Sequence, residues 1–217
     1  MDEEPTNYLE LADWRRRVAQ LYVEVRTLAA SDPAAALEHW RGVRERLYRE
    51  HRQSPVPAAE RAGFRARHFP HDPALRFEVA VVPDPDAGAA APDEPSPFAI
   101  PTSGGGAMAF RRIGWVDVPF PAGRSRLALA WLEGYAGGLF LSFRDATNGA
   151  ETYGGGRYLL DAAKSADLGG DVSRGTLTLD FNFAYQPSCA FDPRWVCPLV
   201  PPENRLDLPI RAGERIA

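Results

Sequence analysis

Leu11, Trp14, Val18, Leu21, Val25 and Leu28 follow one another in alternating steps of three and four residues. That spacing places all six on one face of a helix, flanked by Arg15, Arg16, Arg17, Glu24 and Arg26. The helix is expected to begin near Thr6 or Asn7. Ser31-Asp32-Pro33 then carries a start signal: a capping side chain followed by proline at the first turn. Leu37, Trp40, Val43 and Leu47 mark a second helix, which Ser54-Pro55-Val56-Pro57 cannot continue. The two helices predict an antiparallel hairpin over residues 1–57. His39 and His51 lie on or near the second helix. No partner stands at ligand spacing, so each reads as a solvated or capping residue.

From Phe64 the period changes. Leu75, Phe77, Val79 and Val81 alternate with Arg76, Glu78 and Ala80, the pattern of a strand. Residues 83–97, PDPDAGAAAPDEPSP, have too little apolar surface to fold alone and predict an exposed, mobile loop. Strands are predicted through Met108–Phe120, bent near Gly114, and over Leu127–Leu132 and Leu139–Phe143. A further strand is expected to begin at Arg157. Leu177, Leu179, Phe181 and Phe183 alternate as another strand, and Leu206–Ile210 reads as a Pro-interrupted edge strand. Short strands separated by Gly and Pro turns, without helical pattern between them, predict an antiparallel arrangement. The fold class is therefore α+β and mainly β: a helical hairpin, then an antiparallel β-sandwich or barrel over 58–217, ending in a Pro-rich tail.

The polar chemistry concentrates between Phe143 and Cys197. Asn148-Gly149 reads as a turn. The glycines Gly154, Gly155 and Gly156 let the backbone bend sharply or approach a ligand. On a ligand-facing reading, backbone N–H groups of Gly155 and Gly156 and the fork of Arg157 hold a carboxylate or phosphate. On a purely structural reading, the same stretch is a bulged hairpin with an Arg–Asp pair. No GK[ST] follows the glycines, so this is not a P-loop. Asp180 and Asn182 would share one face of their strand, opposite Leu179, Phe181 and Phe183. They could be solvated or line a pocket mouth with Asp145 and Arg157, and two carboxylates brought close together would suit acid–base work or a hard cation.

The net charge of −4 argues against a nucleic-acid partner, which wants a basic surface. Lys164 is the only lysine among 25 basic residues, so the abundance of arginine reflects coding bias more than chemistry. No apolar run approaches the length that spans a bilayer, and the acidic N-terminus lacks a signal pattern, so no membrane partner and a cytoplasmic location are expected. Cys189 and Cys197 are separated by seven residues, which fits no common zinc hairpin. A disulfide could close such a loop, but a cytoplasmic location disfavours it, and they read as two buried thiols; a metal site would have to recruit residues such as His68 and His71. No metal site and no cofactor is assigned from the sequence.

Three segments together, FRDATNGAETYGGGRYL, LDFNFAYQPSCAF and CPLVPPENRLDLPIRAGE, resemble a bacterial and archaeal family known as domain of unknown function 1684. The resemblance is strongest over 139–214 and extends more loosely to SPVP and FRARHFPHDPALRF. It implies no activity. The residues it marks include Asp145, Thr147, Tyr153, Gly156, Arg157, Asp180, Asn182, Tyr185, Cys189, Cys197 and Asn204. This chain has Gln186-Pro187 where the family resembles Asn-Pro. Asn204 would anchor the tail through side-chain bonds to backbone.

The leading expectation is a protein that binds a small anionic or polar metabolite in its β domain. Arg157 would clamp the anion, Tyr153 and Tyr185 form the walls, and Asp145, Asp180 and Asn182 select polar groups. On this reading Arg157→Ala loses binding and little stability. An alternative is a hydrolase using Asp145 or Asp180 with Arg157. Another is an interaction module, a homodimer seamed by the Leu11–Leu28 stripe; exposure of that stripe in the monomer would favour it.

Overall fold

A computed structural model describes residues 5–85, 98–135 and 137–216. Helix α1 spans Pro5–Ala29 and α2 spans Pro33–Glu50. The link is as short as the sequence implied. Asp32 caps α2, its carboxylate accepting from Ala35 N at 3.0 Å, with Pro33 in the first turn. His51 ends α2, stacks edge-on against Trp14 and reaches Asp13 at 3.2 Å.

The strands are β1 (Arg67–His68), β2 (Arg76–Pro83), β3 (Phe98–Pro101), β4 (Ala107–Phe120), β5 (Gly123–Leu132), β6 (Gly138–Phe143), β7 (Arg157–Asp161), β8 (Gly170–Asp171), β9 (Thr176–Asp180) and β10 (Glu214–Arg215). Eight of them form one curled antiparallel sheet, a half-barrel, in the order β7-β6-β5-β4-β2-β9-β8, with β3 also on β4. The short pair β1-β10 stands apart. β4 organises the sheet. One edge pairs along its length with β5; the other takes β3 at Phe110 and before, then β2 from Gly114 onward. The expected bend is a register shift between Arg112 and Gly114. A Cβ at Gly114 would lie 2.6 Å from the carbonyl oxygen of Val82, so the close approach of β2 needs glycine there.

Both faces of the sheet are covered. Leu127, Leu129, Leu141, Phe143 and Leu159 join Val116, Val118, Phe120 and Phe181 on one side, sealed by Leu206, Ile210 and Ala212 of the C-terminal tail. Ala130, Phe140, Tyr158 and Phe110 pack on the other side against Leu21, Val25, Leu37 and Trp40 of the helices. The apolar stripe of α1 is thus turned inward: Leu21 and Val25 are buried, and only Leu28 at its end is exposed. The helices and the sheet share this core.

Two expected strands are replaced by other structure. The alternation from Leu177 ends at Asp180; Phe181–Phe183 is a 3-10 turn, capped by Asp180 accepting from Asn182 N at 3.0 Å. Phe181 and Phe183 are buried, in different clusters, because the turn swings them to opposite sides. Leu206–Ile210 is not a strand. The tail runs beside the end of β6, with a single parallel bridge between Arg144 and Arg205. Its prolines limit the donors that a ladder would need. Of the loop expected at 83–97, Pro83 closes β2, Asp84 is buried against Arg112, and residues 86–97 lie outside the described residues. Among the described residues, no helix is long and apolar enough to cross a membrane.

Candidate functional site

The Phe143–Arg157 stretch is a tightly bonded corner. Gly149 takes φ +83° in the expected turn. Asp145 accepts from Thr147 Oγ1 at 2.6 Å, Thr147 N at 3.2 Å and Ile210 N at 2.8 Å. Its Oδ2 also meets Arg157 Nη2 at 2.9 Å, and both side chains are fully buried. The two Nη groups of Arg157 also reach the tail, at Ile210 O (2.7 Å), Glu214 O (3.3 Å) and Ala212 O, while its Nε–H is buried with no partner among the described residues. The guanidinium lies over the Phe143 ring, 5.0 Å from its centroid. Burial lowers its pKa, opposed by the charge of Asp145. Arg157 therefore faces the chain's own carbonyls. Gly156, at φ +97°, lets the corner close, since a Cβ would lie 2.7 Å from Phe143 O.

Asp180 belongs to a separate network. It accepts from Asn182 Nδ2 at 2.8 Å and pairs with Arg76 at 3.2 Å. Asn182 in turn brackets Asp72, accepting from its N–H at 2.9 Å and donating to its carbonyl at 2.8 Å. Asp145 and Asp180 each bond to partners of their own and do not pair with one another. Tyr185 is buried beside Tyr158, under the guanidinium of Arg44 at 4.6 Å, and burial raises its hydroxyl well above the ordinary range. Asn204 ties the tail as expected. Its side chain accepts from Ala128 N at 2.6 Å and donates to Ala128 O and Ser142 O at 3.0 and 2.9 Å.

Tyr153 goes elsewhere. Its ring covers Gly155, and its hydroxyl sits 3.8 Å from Cys189 Sγ. Cys189 follows Ser188 in a 3-10 turn and is half-buried; Cys197 is buried; both are free thiols. The Cys197 thiol stands beside the Cys189 sulfur, and the Ser103 hydroxyl accepts from Cys197 N at 3.0 Å and donates to Trp195 O at 3.2 Å. The neighbouring Cys197 thiol lowers the Cys189 pKa to about 6, helped by Ser103 and Tyr153 and opposed by burial. The same contact raises Cys197 far above the thiol range, with burial adding to it. Burial, with the neighbouring Cys189, raises Tyr153 to about 12.

Cys197 also lines a cavity of about 260 Å³ between α1 and the Ser188–Cys197 segment. Trp14, Val18 and Leu11 of α1 form one wall, and Trp195 and Val196 the other. Arg15 and Lys164 bring positive charge to its lining, and the Lys164 ammonium meets Asp161 at 3.0 Å. The indole N–H of Trp195 is buried and has no partner among the described residues. A larger groove of about 880 Å³ lies between α1 and α2, but charges of both signs line it, among them Glu10, Asp13, Arg16 and Arg46.

The sequence reading missed Trp14, Ser103, Lys164 and Trp195 as site residues. They come from α1, the turn after β3, the segment after β7 and the tail, and no local spacing links them. The one available signal was the cysteine pair itself.

A helical hairpin packed on a curled antiparallel half-barrel, its C-terminal tail sewn back through Asn204 and Arg157, defines the class of protein. A family model described as protein of unknown function (DUF1684) matches residues 64–215, and the chain belongs to that family. The solution NMR structure of an uncharacterized protein of Haloarcula marismortui is similar to it, with 30% sequence identity and a TM-score of 0.59. That match covers 84% of this chain and 93% of the archaeal one. No curated protein matches the chain.

Proposed function

We propose that the protein binds a small carboxylate with an apolar or aromatic body in the cavity between α1 and the Ser188–Cys197 segment. The observation that carries this reading is Trp195: it lines the cavity, and its indole N–H is buried without an acceptor among the described residues. A buried donor left unpaired costs about 1–3 kcal/mol, which a ligand oxygen would recover. Lys164 and Arg15 supply the charge that favours an anion. An ammonium has three donors, and the Asp161 contact takes one of them. Trp14, Leu11 and Val18 suit the apolar body. A cavity with apolar walls and a few convergent polar groups is the usual form of a small-molecule site. This keeps the anionic metabolite expected from the sequence and moves its site away from Arg157.

The test is a titration with benzoate, phenylacetate and hexanoate, followed by tryptophan fluorescence and thermal denaturation. At least one should shift both signals saturably at or below roughly millimolar concentration. Trp195→Phe and Lys164→Gln should each weaken that response at least threefold while leaving the circular dichroism unchanged. No saturable response to any of the three acids, or an undiminished one in both variants, overturns the proposal.

A further inference from the structure

Cys189, Cys197, Tyr153 and Ser103 form a cluster that the binding proposal leaves unused. We propose that it is a hydroperoxide-reactive dithiol site, in which Cys189 attacks the peroxide and Cys197 resolves the product into a reversible disulfide.

The geometry assigns the roles. Cys189 is half-buried, so an oxidant can reach it, whereas Cys197 is buried behind it. The Tyr153 hydroxyl lies 3.8 Å from the Cys189 sulfur, and the Cys197 thiol and Ser103 stand beside it. Hydrogen bonds to the charged form stabilise a thiolate, and the thiolate is the nucleophile. The groups facing the pair come from every neighbouring element: Tyr153 from the corner after β6, Ser103 from the turn after β3, and Lys164, whose charge reaches Cys197. Among the described residues, no carboxylate is hydrogen-bonded to Cys189. The two thiols are neighbours, and the chain between them has 3-10 and turn structure without a ladder. It can adjust to the roughly 2.05 Å separation of a disulfide.

The steps balance. A lone pair of the Cys189 thiolate attacks the terminal oxygen of a hydroperoxide; the S–O bond forms as the O–O bond breaks. The departing alkoxide, or hydroxide in the case of hydrogen peroxide, takes a proton from water. Cys189 is oxidised by two electrons to a sulfenic acid, and the peroxide is reduced to an alcohol or water. The sulfur of Cys197 then attacks the Cys189 sulfur, its proton joins the leaving hydroxide, and water departs as the S–S bond forms.

The experiment treats the reduced full chain with hydrogen peroxide and follows intact mass and free thiols. The wild type should lose two hydrogens and both reactive thiols, and dithiothreitol should restore them. In Cys197→Ser the reaction should stop at the sulfenic acid, trapped by dimedone on Cys189. In Cys189→Ser, Cys197 should remain a thiol. Near neutral pH the larger thiolate fraction, partly offset by its lower nucleophilicity, should give a rate roughly fivefold above an unperturbed thiol. Alkylation of Cys189 by iodoacetamide should be half-maximal near pH 6, following its depressed pKa of about 6. Wild-type thiols that survive a peroxide excess sufficient to oxidise free glutathione overturn the proposal, as does a dimedone adduct on Cys197. The wild-type arm does not depend on either variant folding, and no arm depends on the carboxylate.

Discussion

Removing the guanidinium of Arg157 would strand the Asp145 carboxylate in the core and orphan the carbonyls of Ile210, Ala212 and Glu214. Breaking a fully buried ion pair from one side costs about 3–5 kcal/mol. Arg157→Ala should therefore lower the urea midpoint by that order, and carboxylate binding should persist in whatever fraction remains folded. Arg157→Lys should not rescue it, because one ammonium cannot reproduce a fork that reaches four acceptors. His68 sets a pH limit at the same scale. Burial lowers its pKa to about 4, with the charges of Arg41 and Arg44 in the same direction and those of Glu214 and Glu38 opposing. Its ring lies edge-on to Trp40. The fold holds this imidazole neutral, while the unfolded chain protonates it near pH 6.5. The unfolded state thus binds more protons between pH 6.5 and 4. Stability is full above 6.5 and falls through that window, by up to about 3 kcal/mol. His68→Gln should flatten the acid limb of a stability–pH profile measured by urea unfolding.

At the scale of elements, α1 is a core helix. Leu21 is buried against the second helix and the sheet. Leu21→Asp should destabilise the fold by about 3 kcal/mol or more, read as a lower thermal midpoint, because it buries an unpaired charge in place of apolar contact. A dimer seam would instead show a change of mass in solution with the midpoint retained. Several elements were legible in the sequence because local rules and packing agree on them. Asp32-Pro33 caps α2 where the spacing placed its start, and Gly114 marks the bend in β4. The strand through Phe183 was misread for a physical reason. Apolar residues at every second position continue past Asp180, yet Asp180 and Asn182 bond to one another, and Asn182 bonds to Asp72, which turns the chain. Alternation alone does not separate a strand from a strand that ends in a 3-10 turn. The carboxylate before the turn was the overlooked signal.

For the whole molecule, the polar motif between Phe143 and Arg157 was legible as a motif and illegible as a site. Its residues are those that join strand ends to the tail, and such joints look in sequence like a ligand cradle: glycines, a turn, an arginine and a carboxylate. The difference lies in which acceptors Arg157 meets, and those stand 53 to 57 residues further on. The cavity was hidden for the same reason. Trp14 and Trp195 reach it from nearly opposite ends of the chain, and no spacing rule operates over that separation. Cys189 and Cys197 were visible as a pair; Tyr153 was singled out without its link to them, and Ser103 was not singled out at all.

The sewn-back tail has a consequence for how the protein is made. The half-barrel's inner face is sealed by Leu206, Ile210 and Ala212, and the buried arginine finds its acceptors only at 210, 212 and 214. A nascent chain emerging from the ribosome can form α1 and α2 early and pair β4 with β5 as they appear. It cannot close its interior until residue 214 has left the exit tunnel. Until then Arg157 is a charge without a home, and the partly built sheet is a client for chaperones.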